Sequence, residues 1–318
     1  MIEIKELVVK YRSSKGDVYA VDKLSLEIDN GVIFGLVGES GSGKTTLGLS
    51  LLRILPPTAV IESGSVLISG TDVTRLKESE MRSWRGKKIA MVFQGAMNSL
   101  NPLMTVEEQV AEPLIIHENM DRDQALLRAK ENLENVGLGE NILKRYPHEL
   151  SGGMKQRVVI AMAIIEHPSL LIADEPTTAL DVVTQHRIMK LFRRLKDEFG
   201  VTIILISHDL PIVAEVADKV AIMYGGKMSE VGDAKEVVIQ SKHPYTQGLI
   251  RSIPDPRSTK VIRGISGEPV SLVNPPKGCR FYDRCSQRRD LCKTYDYKPA
   301  ILENRHLVYC NLFVEQMA

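Results

Sequence analysis

Eight residues near the front of the chain, Gly38-Glu39-Ser40-Gly41-Ser42-Gly43-Lys44-Thr45, constrain its fold more than any others. They fit the pattern G-x-x-x-x-G-K-[ST] in full. Glycines let the backbone wrap closely around phosphate oxygens, and the amides of the loop and of the following helix start point at the anion. Lys44 is placed to reach the outer phosphates, and the Thr45 hydroxyl to ligate magnesium. Such a loop works only between a buried strand and a helix. The flanks supply both: Val32–Val37 is a continuous apolar run suited to a strand covered on both faces, and Thr45–Leu55 reads as a helix.

The rest of the chain extends this α/β reading. Ile2 to Tyr11 and Val18 to Ile28 alternate apolar and polar residues, the mark of antiparallel strands. Short strands are expected at 64–68 and 89–93, and residues 104–165 read mostly as helix. Leu170–Ala173 and Val201–Ile206 look like central parallel strands joined by a helix over 183–199. Lys219–Tyr224 and Lys227–Val231 read as a hairpin turning at Gly225-Gly226. Prolines at 244, 254, 256, 269, 275 and 276 then break the pattern, which places a domain boundary near residue 240.

Asp174 ends the run Leu170–Ala173, where a carboxylate can hold magnesium. Glu175 follows directly and can polarise an attacking water. An Asp-Glu pair after a strand is weak evidence alone but strong beside the phosphate loop. Further along, Leu150-Ser151-Gly152-Gly153-Met154-Lys155-Gln156-Arg157 sets Ser151 and two glycine amides at a predicted helix start, a second anion site. Read alone, it is an ordinary helix cap.

Taken with the phosphate loop, that stretch resembles the signature motif of ABC transporter ATPases, and its companions occur in family order. Gln94 looks like the Q-loop glutamine that ligates magnesium and water, Asp181 like the D-loop aspartate, and His208 like the switch histidine at the γ-phosphate. The resemblance covers residues 1–240. It implies a P-loop NTPase (RecA-like) core with an antiparallel β subdomain and a helical subdomain carrying the signature. It implies ATP contacts from Gly38, Ser40, Gly41, Ser42, Gly43, Lys44, Thr45 and Thr46, with Tyr11, or its rival Tyr19, stacking on adenine. Magnesium would be held by Thr45, Gln94 and Asp174, and hydrolysis carried by Glu175, His208, Lys44 and Gln94. Ser151, Gly152, Gly153 and Asp181 would contact ATP bound to the opposite subunit, so ATP-Mg is sandwiched in a dimer.

Three more stretches resemble the oligopeptide/dipeptide importer branch. They are Gln94–Pro102, in which Gly95-Ala96 replace that branch's acidic-proline pair, His243–Leu249, and the tail from Gly267 through Phe281. All four cysteines, Cys279, Cys285, Cys292 and Cys310, lie in the tail, spaced C-x5-C-x6-C-x17-C. Clustered thiols of this kind can ligate zinc or an iron–sulfur cluster, and C-x2-C zinc spacing is absent. Members of the branch with such a tail can carry a [4Fe-4S] cluster; zinc and four unliganded thiols are the alternatives. Residues 241–318 are thus expected to form a loop-rich C-terminal domain. A redox or iron sensor acting on the ATPase is compatible with transport.

The 318 residues are 43% hydrophobic, enough for a large core plus an appendage. Lys and Arg total 41 against 40 Asp and Glu, so charge gives no case for a nucleic-acid partner. No run approaches the ~18 apolar residues of a membrane span, and Met1–Lys5 lacks a secretory layout. The chain reads as intracellular. The branch implies docking at the cytoplasmic face of the membrane on two permease subunits, a related second ATPase subunit and an extracellular binding protein. Peptides are the implied cargo, with oligosaccharides or nickel as alternatives. A non-transport ABC ATPase fits less well, since the chain has one cassette and no basic patch, and so does an exporter ATPase, whose tail is not expected to resemble the importer branch.

Overall fold

The computed structural model describes residues 1–253 and 264–314, and its contacts divide into two compact units. The first gathers Met1–Asp29, Phe34–Arg75 and the chain from Ser207 onward. The second consists of Asn30–Ile33 and Leu76–Ile206.

In chain order the first unit opens with β1 (Ile2–Ser13) and β2 (Gly16–Ile28), which pair antiparallel from Ile2↔Ile28 to Ser13↔Gly16. β3 (Ile33–Val37) follows, buried at every position, as a strand covered on both faces must be. The phosphate loop leads to α1 (Lys44–Leu52), which stops three residues before the expected Leu55 because Arg53 takes a left-handed conformation at φ 51°. β4 (Ala59–Ile68) begins well before the expected residue 64 and pairs with β1, and β5 (Thr71–Asp72) closes this sheet in the order β2-β1-β4-β5.

The second unit carries α2 (Glu78–Trp84), β6 (Ile89–Val92), α3 (Val106–Glu118), α4 (Arg122–Asn135), α5 (Gly152–Ile164), β7 (Leu170–Asp174), α6 (Val182–Phe199) and β8 (Thr202–Ser207). The helical stretch expected over 104–165 is therefore three helices with short 3-10 turns at Glu140–Ile142 and Pro147–Glu149. β6, β7 and β8 run parallel, with Ile89 facing Leu170 and Leu170 facing Thr202, and their side chains are buried throughout. The sequence signals of α6 are simple to read. Asp181 caps its start, Ile188, Met189, Leu191, Phe192 and Leu195 make one buried stripe, and Gly200 ends it in the left-handed region at φ 65°.

The chain then returns to the first unit with α7 (Leu210–Val216), β9 (Lys219–Tyr224), β10 (Lys227–Asp233), α8 (Ala234–Gln240), α9 (Pro244–Arg251), β11 (Ala300–Ile301) and β12 (Leu307–Val308). Strands here run in the order β11-β12-β10-β9-β3. β9 lies parallel to β3, and the hairpin to β10 turns at Gly225-Gly226 as expected. Pro244 does not break the chain as expected. It occupies the first turn of α9, where its missing N–H costs nothing, and His243 caps the helix by accepting the Tyr245 N–H at 3.0 Å. Pro254 and Pro256 lie outside the described residues. Residues of the 264–314 stretch pack into this unit: β12 extends the edge of β10, and Tyr19 donates its N–H to Leu272 O. Among the described residues no helix is long and apolar enough to cross a membrane.

Candidate functional site

The sequence-predicted residues fall into two sets, one on each unit. On the first unit, the phosphate loop turns through Gly41 and Gly43, at φ 75° and 103°. A Cβ on Gly43 would stand 2.0 Å from Ala20 O, and one on Gly38 would stand 2.1 Å from Met223 O, so the loop sits directly on β2 and β9 with no room for a side chain at either position. Ser42 accepts the Gly226 N–H at 2.9 Å, which ties the loop to the β9–β10 turn. Lys44 is 6% exposed and donates to Gly38 O at 2.8 Å, Glu39 O at 2.8 Å and Ser42 Oγ at 3.3 Å. Its ammonium is thereby aimed across the mouth of the loop. Thr45 is exposed on the first turn of α1, while Thr46 is buried and shares a 3.0 Å hydrogen bond with the Tyr11 hydroxyl. Tyr11 is thus anchored beside the loop; Tyr19, the rival, lies under the Lys10 ammonium at 5.9 Å. His208 is exposed one residue beyond β8, beside Ser207, whose hydroxyl accepts the Asp209 N–H.

On the second unit, Asp174 ends β7 at 1% exposure and lies in register with Ile206. Glu175 departs from strand geometry at φ 47°, a left-handed position rare for a residue with a side chain. Its N–H donates to Ile206 O, and its carboxylate accepts the Thr178 hydroxyl at 2.8 Å. Those bonds hold the strained turn in place. Gln94 is exposed just past β6.

Ser151 caps α5, accepting the Met154 N–H, and Gly152 and Gly153 form the first turn. Asp181 caps α6 through the Thr184 N–H at 3.0 Å and hydroxyl at 2.6 Å, and these bonds hold its carboxyl below the usual aspartate range. A Cβ on Gly153 would stand 2.5 Å from the Thr184 methyl, so Thr184 links the Ser151 turn to the Asp181 turn. Thr184 carries no sign in the sequence, because its role depends on Gly153, thirty-one positions earlier, being brought against its methyl.

The four cysteines do converge. Cys279, Cys285, Cys292 and Cys310 all line one cavity, together with His243, Phe281 and Tyr282. The Cys279 N–H donates to Cys292 O at 2.7 Å, which brings two of the four together through the backbone. Burial, then the neighbouring thiols, push Cys279 up to about 12 and Cys310 up to about 11, and burial raises Cys285 as well. Metal coordination would have to overcome that preference for the neutral thiol. The donor chemistry suits a soft metal or cluster. Among the described residues, however, no group of three or more His, Cys, Asp or Glu side chains closes to a geometry able to hold a metal ion. The expected [4Fe-4S] or zinc site is therefore present as a convergence of donors and not as a formed ligand set.

Two further residues reach the phosphate loop with no local sequence sign of that contact. The Tyr245 hydroxyl accepts the Glu39 N–H at 2.9 Å, and Arg284 forks onto the Glu39 carboxylate at 2.7 and 3.0 Å.

With this geometry in view, comparison with known proteins is direct. Residues 21–178 match the ABC transporter family, and residues 229–292 match the oligopeptide/dipeptide transporter C-terminal region. The dipeptide transport ATP-binding protein DppD of Bacillus subtilis (strain 168) is 43% identical over 98% of this chain and 94% of its own length. The oligopeptide transport ATP-binding protein OppD of Escherichia coli (strain K12) is 43% identical over 92% of this chain and 88% of its own. Among solved structures, a dimeric ATP-binding cassette in a post-hydrolysis state with ADP and phosphate superposes with a TM-score of 0.66 at 31% identity, covering 74% of this chain and 99% of that one. The phosphate loop, the capped Ser151 turn and the tail thus have one explanation: the chain belongs to the ATP-binding subunits of ABC transporters, in their oligopeptide/dipeptide branch, a family of ATPases that power transport.

Proposed function

We propose that this chain hydrolyses ATP to drive uptake of di- and oligopeptides, docked at the cytoplasmic face of the membrane on two permease subunits fed by an extracellular binding protein. The observation that carries the reading is 43% identity, over an alignment that covers 98% of the chain, with a dipeptide transport ATP-binding protein. Residues 1–240 would act as the nucleotide cassette and 241–318 as the branch-specific tail.

In this reading the Lys44 donors now turned on Gly38, Glu39 and Ser42 pass to the outer phosphates of ATP. Gly38, Ser40, Gly41, Ser42 and Gly43 wrap the phosphate chain, with Thr45 and Thr46 at the helix start and Tyr11 against the base. Thr45, Gln94 and Asp174 would hold magnesium, which would supply charge to offset the phosphates. Glu175 orients the attacking water and His208 stabilises charge on the γ-phosphate. Ser151, Gly152, Gly153 and Asp181 serve the nucleotide bound by a second, related ATPase subunit, so closure on two ATP molecules assembles both sites. A dimeric cassette among the solved relatives supports this arrangement.

We further propose that Cys279, Cys285, Cys292 and Cys310 draw together around a [4Fe-4S] cluster that holds the tail in order. Their shared cavity supports it.

Replacing Glu175 with Gln in the assembled transporter tests the functional reading. Peptide uptake should stop while ATP stays bound; uptake that continues unchanged would remove it.

A further inference from the structure

The tail does more than flank the cassette in the first unit, because two of its side chains grip one residue of the phosphate loop. Glu39 is the second residue of that loop. Its N–H donates to the Tyr245 hydroxyl at 2.9 Å, and its carbonyl receives the Lys44 ammonium at 2.8 Å. Its carboxylate takes both ends of the Arg284 guanidinium, at 2.7 and 3.0 Å. Every polar group of Glu39 is therefore spoken for, two of them by residues some two hundred or more positions away in sequence.

The grip is built and largely dry. Tyr245 is fully buried, its ring 4.6 Å from Tyr224 and 5.3 Å from Phe281. The Arg284 side chain is 6% exposed against 25% for Glu39. The guanidinium also donates to Ser266 O at 3.1 Å and Ile265 O at 3.2 Å, and packs over the Tyr224 and Phe281 rings. A guanidinium fixed on several sides keeps a planar two-point hold on a carboxylate that a flexible surface lysine would not.

Charge gives this hold a consequence. A free carboxylate beside a loop that must accept phosphate oxygens repels them. Arg284 neutralises that carboxylate, while Tyr245 holds the Gly38–Glu39 peptide, whose Gly38 carbonyl also receives the Lys44 ammonium at 2.8 Å. We propose that Arg284 and Tyr245 are positioning residues for ATP: the tail holds the phosphate loop in its nucleotide-receiving shape and cancels the negative charge of Glu39. The inference rests on the phosphate loop being the ATP site.

ATP titration of the full-length chain tests it, with Lys44→Ala as the control for the site itself. Arg284→Met should raise the Kd for ATP about tenfold, because it frees a carboxylate at the loop. Glu39→Gln should change Kd by less than about threefold, and the Arg284→Met/Glu39→Gln pair should recover to the Glu39→Gln value. Tyr245→Phe, which removes only the hydroxyl, should raise the ATP KM of the assembled transporter and leave kcat at saturating ATP within about twofold. Should Arg284→Met fail to fold, Arg284→Gln reads the same loss, since it removes the charge that offsets Glu39 while keeping a polar side chain. Lys44→Ala weakened with every Arg284 and Tyr245 variant at wild-type affinity would overturn the proposal, as would a double variant no better than Arg284→Met. Lys44→Ala binding ATP normally would instead overturn the assignment of the phosphate loop.

Discussion

His306→Ala should destabilise the tail-bearing unit more than any surface change. Glu230 sits on β10 at 0% exposure, and His306, at 1%, precedes β12. The imidazole Nε2 lies 2.7 Å from Glu230 Oε1, and Nδ1 lies 3.6 Å from Glu236. The Glu230 carboxylate also accepts the Lys242 N–H at 2.8 Å and the His243 N–H at 3.1 Å. Removing one partner of a buried pair costs about 3–5 kcal/mol. Two of the three close donors survive in the alanine variant, so the loss should fall at the lower end, about 3 kcal/mol. For a unit of this size that is roughly 6–12 °C in melting temperature. The pH dependence adds a sharper test. Burial pulls the His306 pKa down, but the bond and charge of Glu230, with Glu236 behind, outweigh it and leave the value raised. A raised folded value means the stabilisation is full below the unfolded value of about 6.5 and is lost as pH rises through the folded one. The gap between wild type and His306→Gln, followed by circular dichroism melts, should therefore be widest below about pH 6.5 and narrow as pH rises through the raised folded value. A His306→Ala protein melting within about 2 °C of wild type, or a His306→Gln gap constant with pH, would refute the reasoning.

Gly43→Ala should abolish measurable ATP binding, because φ 103° and a Cβ 2.0 Å from Ala20 O force the loop off its shape; wild-type affinity in a titration would contradict this. Anaerobically purified chain should hold about four irons with matching sulfide, and Cys279→Ser should lose most of both. Protein with neither iron nor sulfide would remove the cluster.

The parts legible in the sequence share one property: each is written in contiguous residues. The phosphate loop, the Ser151 turn and the buried strand runs all carry local spacing that only one backbone shape satisfies. The hairpin at Gly225-Gly226 was legible for the same reason. What could not be read depends on partners distant in the chain. β11 and β12 are two residues each, too short for any periodicity, and exist because β10 offers an edge. Pro244 looked like a breaker because its position at a helix start depends on the His243 cap. Tyr245 lay within a stretch resembling the importer branch, yet nothing local says that its hydroxyl meets Glu39. Arg284 carried no signal beyond its place before Cys285. The cysteines were legible as a group, and their convergence on one cavity follows that reading, but spacing alone does not set whether the sulfurs close on a metal.

ATP turnover by Glu175→Gln, measured with the partner subunit present, tests the central claim most directly. Glu175 is held out of strand geometry at φ 47° at the end of a buried strand, an arrangement suited to orienting a water. The amide keeps the shape but cannot polarise water as the carboxylate does. Hydrolysis should fall by about 10²–10⁴ while ATP remains bound and the dimer stays closed on it. Undiminished hydrolysis would contradict the account.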